Sequence, residues 1–377
     1  MTEISDIPEA DRLDGAPHPR QTATLFGQET AEAGFLSAWT SGRAHHAWLI
    51  TGPRGVGKAT LAWRMARFIL AQPTETEGGL FGDASAPSSL DIAPDHMVSR
   101  RVAALSHPGL ALCRRAWDPK TERLKRDITI DDIRGLRGFF SMSATDNGRR
   151  VVIVDTADEM NVSAANAVLK ILEEPPERAF LLLISHRPMR LLPTIRSRCR
   201  VLACAPLATD ALAAAVDGAG FETGDISEAL TTLSGGSAGE AIRLLTEDGV
   251  DLYAALLALF DHPTGLDRTG AAKLADTCAG RANEARYDLV LRLLAILLHR
   301  LARAGAGATP DNYVLPAEKA LLTRLAPAPA TGQQWAALAQ SLEGRIQHGR
   351  AVNLDPSALI LDMFFKIDHL AGLLKAA

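Results

Sequence analysis

The residues with the clearest chemical potential form a glycine-rich stretch between a predicted strand and a predicted helix. The stretch reads Gly52-Pro53-Arg54-Gly55-Val56-Gly57-Lys58. Glycines at this spacing allow backbone N–H groups to converge on phosphate oxygens, while the following helix N-terminus and the lysine supply positive potential. The pattern therefore predicts a phosphate-binding loop; the alternative is a glycine-rich turn that binds nothing.

The two residues after Lys58 predict a weak metal site. A phosphate loop normally has a hydroxyl directly after its lysine, and that oxygen holds Mg²⁺. This chain has Ala59 at that position and Thr60 one residue later, and one residue along a helix is a rotation of about 100°. We therefore expect ATP or ADP to bind weakly or statically, with doubtful Mg²⁺ binding.

An apolar strand that ends in an acid supplies the second half of a nucleotide site. Residues 151–154 are valine and isoleucine, and Asp155 follows them at the position of a metal-facing carboxylate. An ATPase also needs a base that polarises the attacking water, and the neutral hydroxyl of Thr156 cannot do this. Asp158 and Glu159 are predicted to be solvated acids at the start of the next helix. The ATPase activity of the chain alone is therefore expected to be weak or absent.

A third candidate feature is a run of alternating arginines. Arg196, Arg198 and Arg200 stand at every second position, so an extended segment would project them to one side. One interpretation is a solvated edge strand. The other is an arginine finger, which acts in trans on the γ-phosphate held by a neighbouring subunit.

Apolar strands and helices alternate around these residues. Strands are predicted at 47–51, 151–155 and 180–185, and helices at 30–41, 58–71 and 163–174. Alternation of this kind predicts an α/β fold with a parallel sheet and flanking helices. Residues 110–117 and 124–130 are predicted to pair as a hairpin.

The same patterns divide the chain into regions. They are a disordered lead-in (1–20), an α/β nucleotide-binding domain (21–205) with a loop insertion (72–96), a small helical domain (206–250) and a larger helical bundle (251–377). The insertion is assigned because it is rich in proline, glycine, serine and acids. The two last regions are assigned because only helical patterns follow residue 206.

Composition limits the function further. The 377 residues are 47% hydrophobic and 22% charged with a net charge of −4, which predicts a soluble globular protein without a global attraction for nucleic acid. The first 19 residues lack the apolar core of a signal peptide, and a cytoplasmic location is expected. Four scattered cysteines have no metal-ligand spacing, so no structural zinc is predicted: Cys113, Cys199, Cys204 and Cys278.

Several longer motifs resemble one known family. Besides the glycine-rich loop they are Phe26-Gly27-Gln28, His46-Ala47-Trp48-Leu49, Asn166-Ala167-Val168-Leu169-Lys170-Ile171-Leu172-Glu173-Glu174-Pro175-Pro176 and Ser197-Arg198-Cys199. On these motifs the chain resembles the AAA+ subunits of the bacterial DNA polymerase III clamp loader. The resemblance is strong over roughly the first 200 residues and loose beyond them.

The resemblance implies a fold and a set of partners. It implies a RecA-like AAA+ domain at 21–205, a helical lid at 206–250 and an oligomerisation collar at 251–377. It also implies a hetero-oligomer with the gamma/tau motor subunits and the delta subunit, which loads a sliding clamp onto primer-template DNA during replication. No polymerase site is expected in this chain.

Departures from the motor pattern favour a non-motor, or stator, subunit. The family's motors have a hydroxyl, an Asp-Glu pair and an arginine where this chain has Ala59, Asp155-Thr156 and Gly239. Arg198, which would serve a neighbour, is intact. Two alternatives stay open: an active AAA+ ATPase, either a motor subunit or a helicase loader, and a nucleotide-gated scaffold unrelated to replication.

Overall fold

The chain divides into two compact units in a computed structural model. The structure describes residues 8–72, 87–141, 148–224, 227–262, 265–308, 310 and 312–376. The first unit runs through Gly220 and includes Gly236–Gly239, and the second contains Phe221–Gly235 and the chain from Glu240 onward. The predicted division at residues 206 and 250 stays a prediction, and most of the predicted 72–96 loop lies outside the described residues.

The first unit contains a parallel sheet between helices. Its strands are β1 Ala47–Thr51, β2 Leu110–Arg114, β3 Trp117–Asp118, β4 Arg123–Leu124, β5 Arg150–Asp155, β6 Ala179–Ser185 and β7 Arg200–Ala203. Its helices are α1 Glu29–Thr40, α2 Lys58–Ala71, α3 Met97–Ala103, α4 Ile130–Ser141, α5 Val162–Glu173, α6 Pro193–Arg196 and α7 Thr209–Asp217. The five-stranded sheet has the order β2-β5-β6-β1-β7, and all its pairs are parallel.

The sheet is covered on both faces, which explains its continuous apolar strands. In β5, Val151 and Ile153 belong to one buried cluster, whereas Val152 and Val154 belong to the other. Successive strand residues point to opposite faces, so both faces of this strand pack against helices. The predicted parallel α/β fold is confirmed.

Two local expectations differ from the structure. Residues 110–114 do not join a hairpin but form β2, which pairs in parallel with β5; only Trp117–Asp118 and Arg123–Leu124 pair as antiparallel strands. The apolar stretch at 110–113 gains more burial beside β5 than a two-stranded hairpin offers.

Residues 8–20, predicted to be disordered, are folded against the first unit. His18 is only 1% exposed. Glu9 and Asp11 both pair with Arg114 at the end of β2, the former at 2.6 Å, and Asp11 also lies 3.2 Å from His18. From composition alone these two acids would be expected in solvent. They are held instead by Arg114, which is distant in the sequence.

The second unit is helical. Its helices are α8 Ser227–Ser234, α9 Ala238–Thr246 (of which the first two residues belong to the first unit), α10 Gly249–Phe260, α11 Arg268–Asp276, α12 Glu284–Gly305, α13 Pro316–Leu325, α14 Ala330–Ala351 and α15 Pro356–Ala376. Leu293, Leu294 and Leu297 of α12 are completely buried in its core. Within the described residues, no helix is long and apolar enough to span a membrane.

A buried ion pair joins α12 to α13 in the helical unit. The carboxylate of Glu318, which is fully buried, accepts hydrogen bonds from Arg300 Nε at 2.5 Å, the Tyr253 hydroxyl at 2.7 Å and the Val314 backbone N–H at 2.7 Å. Every charge-bearing atom of this carboxylate therefore has a partner, as a buried charge requires.

Gly332→Ala is expected to destabilise the helical unit by about 1–3 kcal/mol. A β-carbon at Gly332 would lie 2.6 Å from the carbonyl oxygen of Ala302, because α14 packs closely on α12 at this point. Gly344→Ala in the same helix is the matched control, because its β-carbon meets nothing within 4 Å; it should gain roughly 0.5–1 kcal/mol. Urea denaturation measures both, and equal effects would contradict the close contact.

Candidate nucleotide site and arginine segment

The glycine-rich loop joins β1 to α2, as its pattern predicts. Gly52 has φ of 142°, and a β-carbon there would lie 2.3 Å from the carbonyl oxygen of Cys204. Only glycine fits this position. Gly57, with φ of 100°, precedes α2, so the loop leads into a helix N-terminus, the arrangement that favours phosphate.

The loop lysine is held by the loop itself. Lys58 is 3% exposed, and its ammonium donates to the carbonyl oxygen of Gly52 at 2.8 Å and to that of Pro53. Burial lowers the pKa of Lys58 to about 8, against the opposing effects of Cys204 and Asp155. A phosphate would have to replace these carbonyls as the partner of the ammonium.

The turn at 236–239 packs on the loop within the first unit. The Gly239 backbone N–H donates to the carbonyl oxygen of Gly55 at 3.1 Å. A β-carbon at Gly55 would lie 2.3 Å from Ser237 Oγ, and one at Gly239 would lie 3.2 Å from Gly55 Cα. Because Gly239 has no side chain, this turn can lie directly on the loop.

The acid that ends β5 is enclosed. Burial raises the pKa of the Asp155 carboxyl to about 7, and the nearby charge of Asp11 raises it too. Thr156 Oγ1 donates to Asp155 Oδ1 at 3.1 Å. The residue at the position of the catalytic base is therefore bonded to the acid, and that acid is partly protonated at neutral pH. Ala59, which follows the lysine, offers no oxygen to a metal.

The neighbouring polar groups are also engaged. Asp158 Oδ1 accepts from the backbone N–H of His186 at 2.9 Å, and Glu159 pairs with Arg115 at 2.7 Å. Burial lowers the pKa of His186 to about 4, and the Lys58 ammonium lowers it further. Asp158 and Glu159 are therefore each held by a partner. Among the described residues, no cluster of three or more His, Cys, Asp or Glu could hold a metal ion.

Arg198 lies on the surface, in a turn rather than in an extended segment. The predicted extended arginine run is wrong, since Arg196 ends α6 and Arg200 begins β7. The Arg198 side chain is 37% exposed and pairs with Glu173 at 2.9 Å; it also donates to the carbonyl oxygen of Thr194 at 3.0 Å. Exposed ion pairs contribute only about 0–1 kcal/mol, so Arg198 can exchange Glu173 for another anion at little cost.

The sheet separates Arg198 from the loop of its own chain. β7 runs parallel to β1, with Arg200 beside Trp48 and Ala203 beside Thr51. Arg198 therefore precedes the start of the strand pair, whereas Gly52 follows its end. Four paired residues at about 3.3 Å each separate the two ends, so Arg198 lies at the opposite end of the strand pair from the nucleotide site that it would need to reach in cis.

Sequence reasoning missed the cluster of Glu9, Asp11, His18 and Arg114. Asp11 raises the pKa of Asp155, so this N-terminal segment borders the acid-ended strand. No local spacing could have revealed it, because Arg114 lies about a hundred residues from the other three members.

Asp155→Asn is expected to flatten the pH dependence of stability. The folded state keeps a proton on Asp155 up to about pH 7, which the unfolded chain releases near pH 4. Unfolding therefore becomes easier as pH rises from about 4 to 7, by on the order of 4 kcal/mol. Urea denaturation across this range should show the slope in the native protein, lose it in Asp155→Asn and keep it in the exposed control Asp210→Asn. If the free energies of unfolding of the native protein and of Asp155→Asn changed with pH in parallel, the raised pKa of Asp155 would be refuted.

Comparison with known proteins agrees with these features. The profile of the family described as DNA polymerase III, delta subunit, matches residues 27–208. The delta-prime subunit of DNA polymerase III from Pseudomonas aeruginosa is 40% identical over 54% of this chain and 57% of its own length. That of Escherichia coli is 26% identical over 89% of this chain and 92% of its own. A gamma-subunit-related protein of known structure from Thermotoga maritima is 20% identical with a TM-score of 0.43, covering 89% of this chain and 99% of that one.

The parallel sheet, the glycine-rich loop after β1 and the acid at the end of β5 define an AAA+ P-loop module, followed here by a helical unit. The comparisons point to a narrower group within this class. Over residues 27–208 the chain is similar to the DNA polymerase III delta and delta-prime subunits, as the motifs predict. The alignment with the Pseudomonas relative covers only a little over half of that relative's length.

Proposed function

We propose that this chain is a non-motor subunit of a clamp loader, which acts in the cytoplasm to load a sliding clamp onto primed DNA. In this proposal Arg198 is an arginine finger for the ATP held by a neighbouring motor subunit. The supporting observation is the placement of Arg198: it is exposed, lightly paired and at the opposite end of the β1–β7 pair from its own loop.

The nucleotide site of the chain itself supports the non-motor half of the proposal. Asp155 is largely desolvated, and Thr156 bonds to it. The Lys58 ammonium is engaged by loop carbonyls. Splitting ATP needs a bound metal and a positioned water, and none of these residues supplies either. ATP or ADP would bind weakly or without turnover through residues 52–60.

The proposed partners are the gamma/tau motor subunits and the delta subunit, with the clamp and primer-template DNA reached through the complex. The subunit that receives Arg198 would be a gamma/tau motor, because an arginine finger acts on a hydrolysable γ-phosphate.

The proposal is tested by reconstitution with gamma/tau and delta from the same organism. The purified chain should show negligible steady-state ATPase activity alone, and it should co-purify with these subunits and be required for clamp loading on primed DNA. Substantial turnover by the isolated chain would instead assign it to the active ATPases. Failure to associate with any clamp-loader subunit would favour a scaffold outside replication.

A further inference from the structure

A cationic hairpin, residues 115–126, follows the edge strand β2. It holds five cationic and two acidic residues, in a chain whose net charge is −4. The cationic residues are Arg115, Lys120, Arg123, Lys125 and Arg126. Neither the phosphate loop nor Arg198 accounts for this local excess of positive charge.

The hairpin is built as a defined structure. Trp117 and Leu124 stand opposite each other in its antiparallel ladder, and the Lys125 backbone N–H donates to the carbonyl oxygen of Ala116 at 2.8 Å. Asp118 shapes the turn, because its carboxylate accepts from the Lys120 backbone N–H and the Thr121 hydroxyl, both at 3.0 Å. The cations are therefore carried on a fixed ribbon.

Most of its positive charge is unpaired. Arg115 is neutralised by Glu159. The other four cationic side chains are exposed, and no ion pair with any of them occurs in the part of the chain that the structure describes. The four are Lys120, Arg123, Lys125 and Arg126. Arg123 begins β4 and Lys125 directly follows this strand, bonded through its N–H to Ala116; residues two apart on an extended backbone lie on one face, about 7 Å from each other.

We infer that this hairpin binds the sugar–phosphate backbone of duplex DNA directly. Protein interfaces have an apolar centre and are depleted in lysine, whereas the only large apolar side chains of the hairpin, Trp117 and Leu124, are half-buried. Exposed lysine and arginine without carboxylate partners are what a phosphate backbone attracts, through release of its counterions. Because β2 and β7 are opposite edges of the sheet, the hairpin is remote from Arg198. The inference does not depend on the arginine finger.

The test measures binding of the full-length chain to a fluorescein-labelled DNA duplex of mixed sequence, by anisotropy over a series of salt concentrations. The variant Lys120→Ala/Arg123→Ala/Lys125→Ala/Arg126→Ala should bind at least tenfold more weakly at low salt. The slope of log affinity against log salt should become shallower by about 3–4, since each neutralised phosphate contributes roughly 0.9. Lys120→Arg/Lys125→Arg should bind like the native chain, because either cation neutralises a phosphate.

The matched control removes four exposed cations of the helical unit: Arg268, Lys273, Arg303 and Lys375. It changes the net charge equally and should leave affinity and slope within twofold of native. Equal losses in both variants would show attraction by overall charge and overturn the inference. So would undetectable binding by the native chain at low salt, or unchanged DNA binding with weakened assembly, which would assign the hairpin to a protein partner.

Discussion

In a reconstituted clamp loader, Arg198→Ala is expected to reduce ATP turnover at the served site by on the order of 10³-fold or more. The guanidinium is the charge that an arginine finger contributes to the transition state, and alanine leaves no substitute. Folding should be unaffected, because the side chain is 37% exposed and its pair with Glu173 is exposed too.

Pre-steady-state phosphate release is the measurement, since the burst should lose the amplitude of one site while the other sites continue. Arg190→Ala is the matched control, an exposed arginine on the same connecting segment, and should leave the burst intact. Lys58→Ala should also leave it nearly intact, because in the proposed role this chain's own loop takes no part in hydrolysis. If Lys58→Ala removes turnover as completely as Arg198→Ala, the chain is a motor and the proposed role is wrong.

Arg300→Ala is expected to lower the free energy of unfolding of the helical unit by about 3–5 kcal/mol. It leaves the fully buried Glu318 carboxylate without its cation, although Tyr253 and Val314 still donate to it. Hydrogen exchange of the α12 and α13 amides follows the loss in this unit separately from the rest of the chain.

Two further variants separate charge from packing. Arg303→Ala, an exposed position on the same helix, should change stability by no more than about 0.5 kcal/mol. Arg300→Met combined with Glu318→Leu removes both charges and should recover part of the loss, but not all of it, because the buried Tyr253 hydroxyl and the Val314 N–H lose their acceptor. An Arg300→Ala protein as stable as native would mean that the carboxylate is solvated.

The local sequence pattern was sufficient to predict the strand, loop and helix that form the candidate nucleotide site. Glycines at 52, 55 and 57 between an apolar strand and a helix predicted β1, the loop and α2, because the phosphate-loop geometry depends on neighbours in sequence. The acid at the end of β5 and the missing hydroxyl at Ala59 were equally visible. These features need only the identity and order of adjacent residues.

Contacts between residues that are distant in the sequence could not be predicted from it. The stretch at 110–114 has the same alternation whether it forms a hairpin or a parallel strand, and only its distant partner Val151–Asp155 decides between them. The ordering of residues 8–20 depends on Arg114, about a hundred residues away. The bonding of Thr156 to Asp155 and of Lys58 to its own loop required the folded geometry.

The parallel register of β1 and β7 has a consequence for assembly. The end of the sheet that presents Arg198 and the end that holds the glycine-rich loop are different surfaces. Contacts that join one end to the other between neighbouring modules are heterologous and head-to-tail. Such contacts give a row of subunits a direction. In the proposed role, this chain donates Arg198 but does not use an arginine from a neighbour, which would place it at the terminus of that row. In that arrangement one copy suffices, because a second copy would receive an arginine at a site that does not hydrolyse ATP.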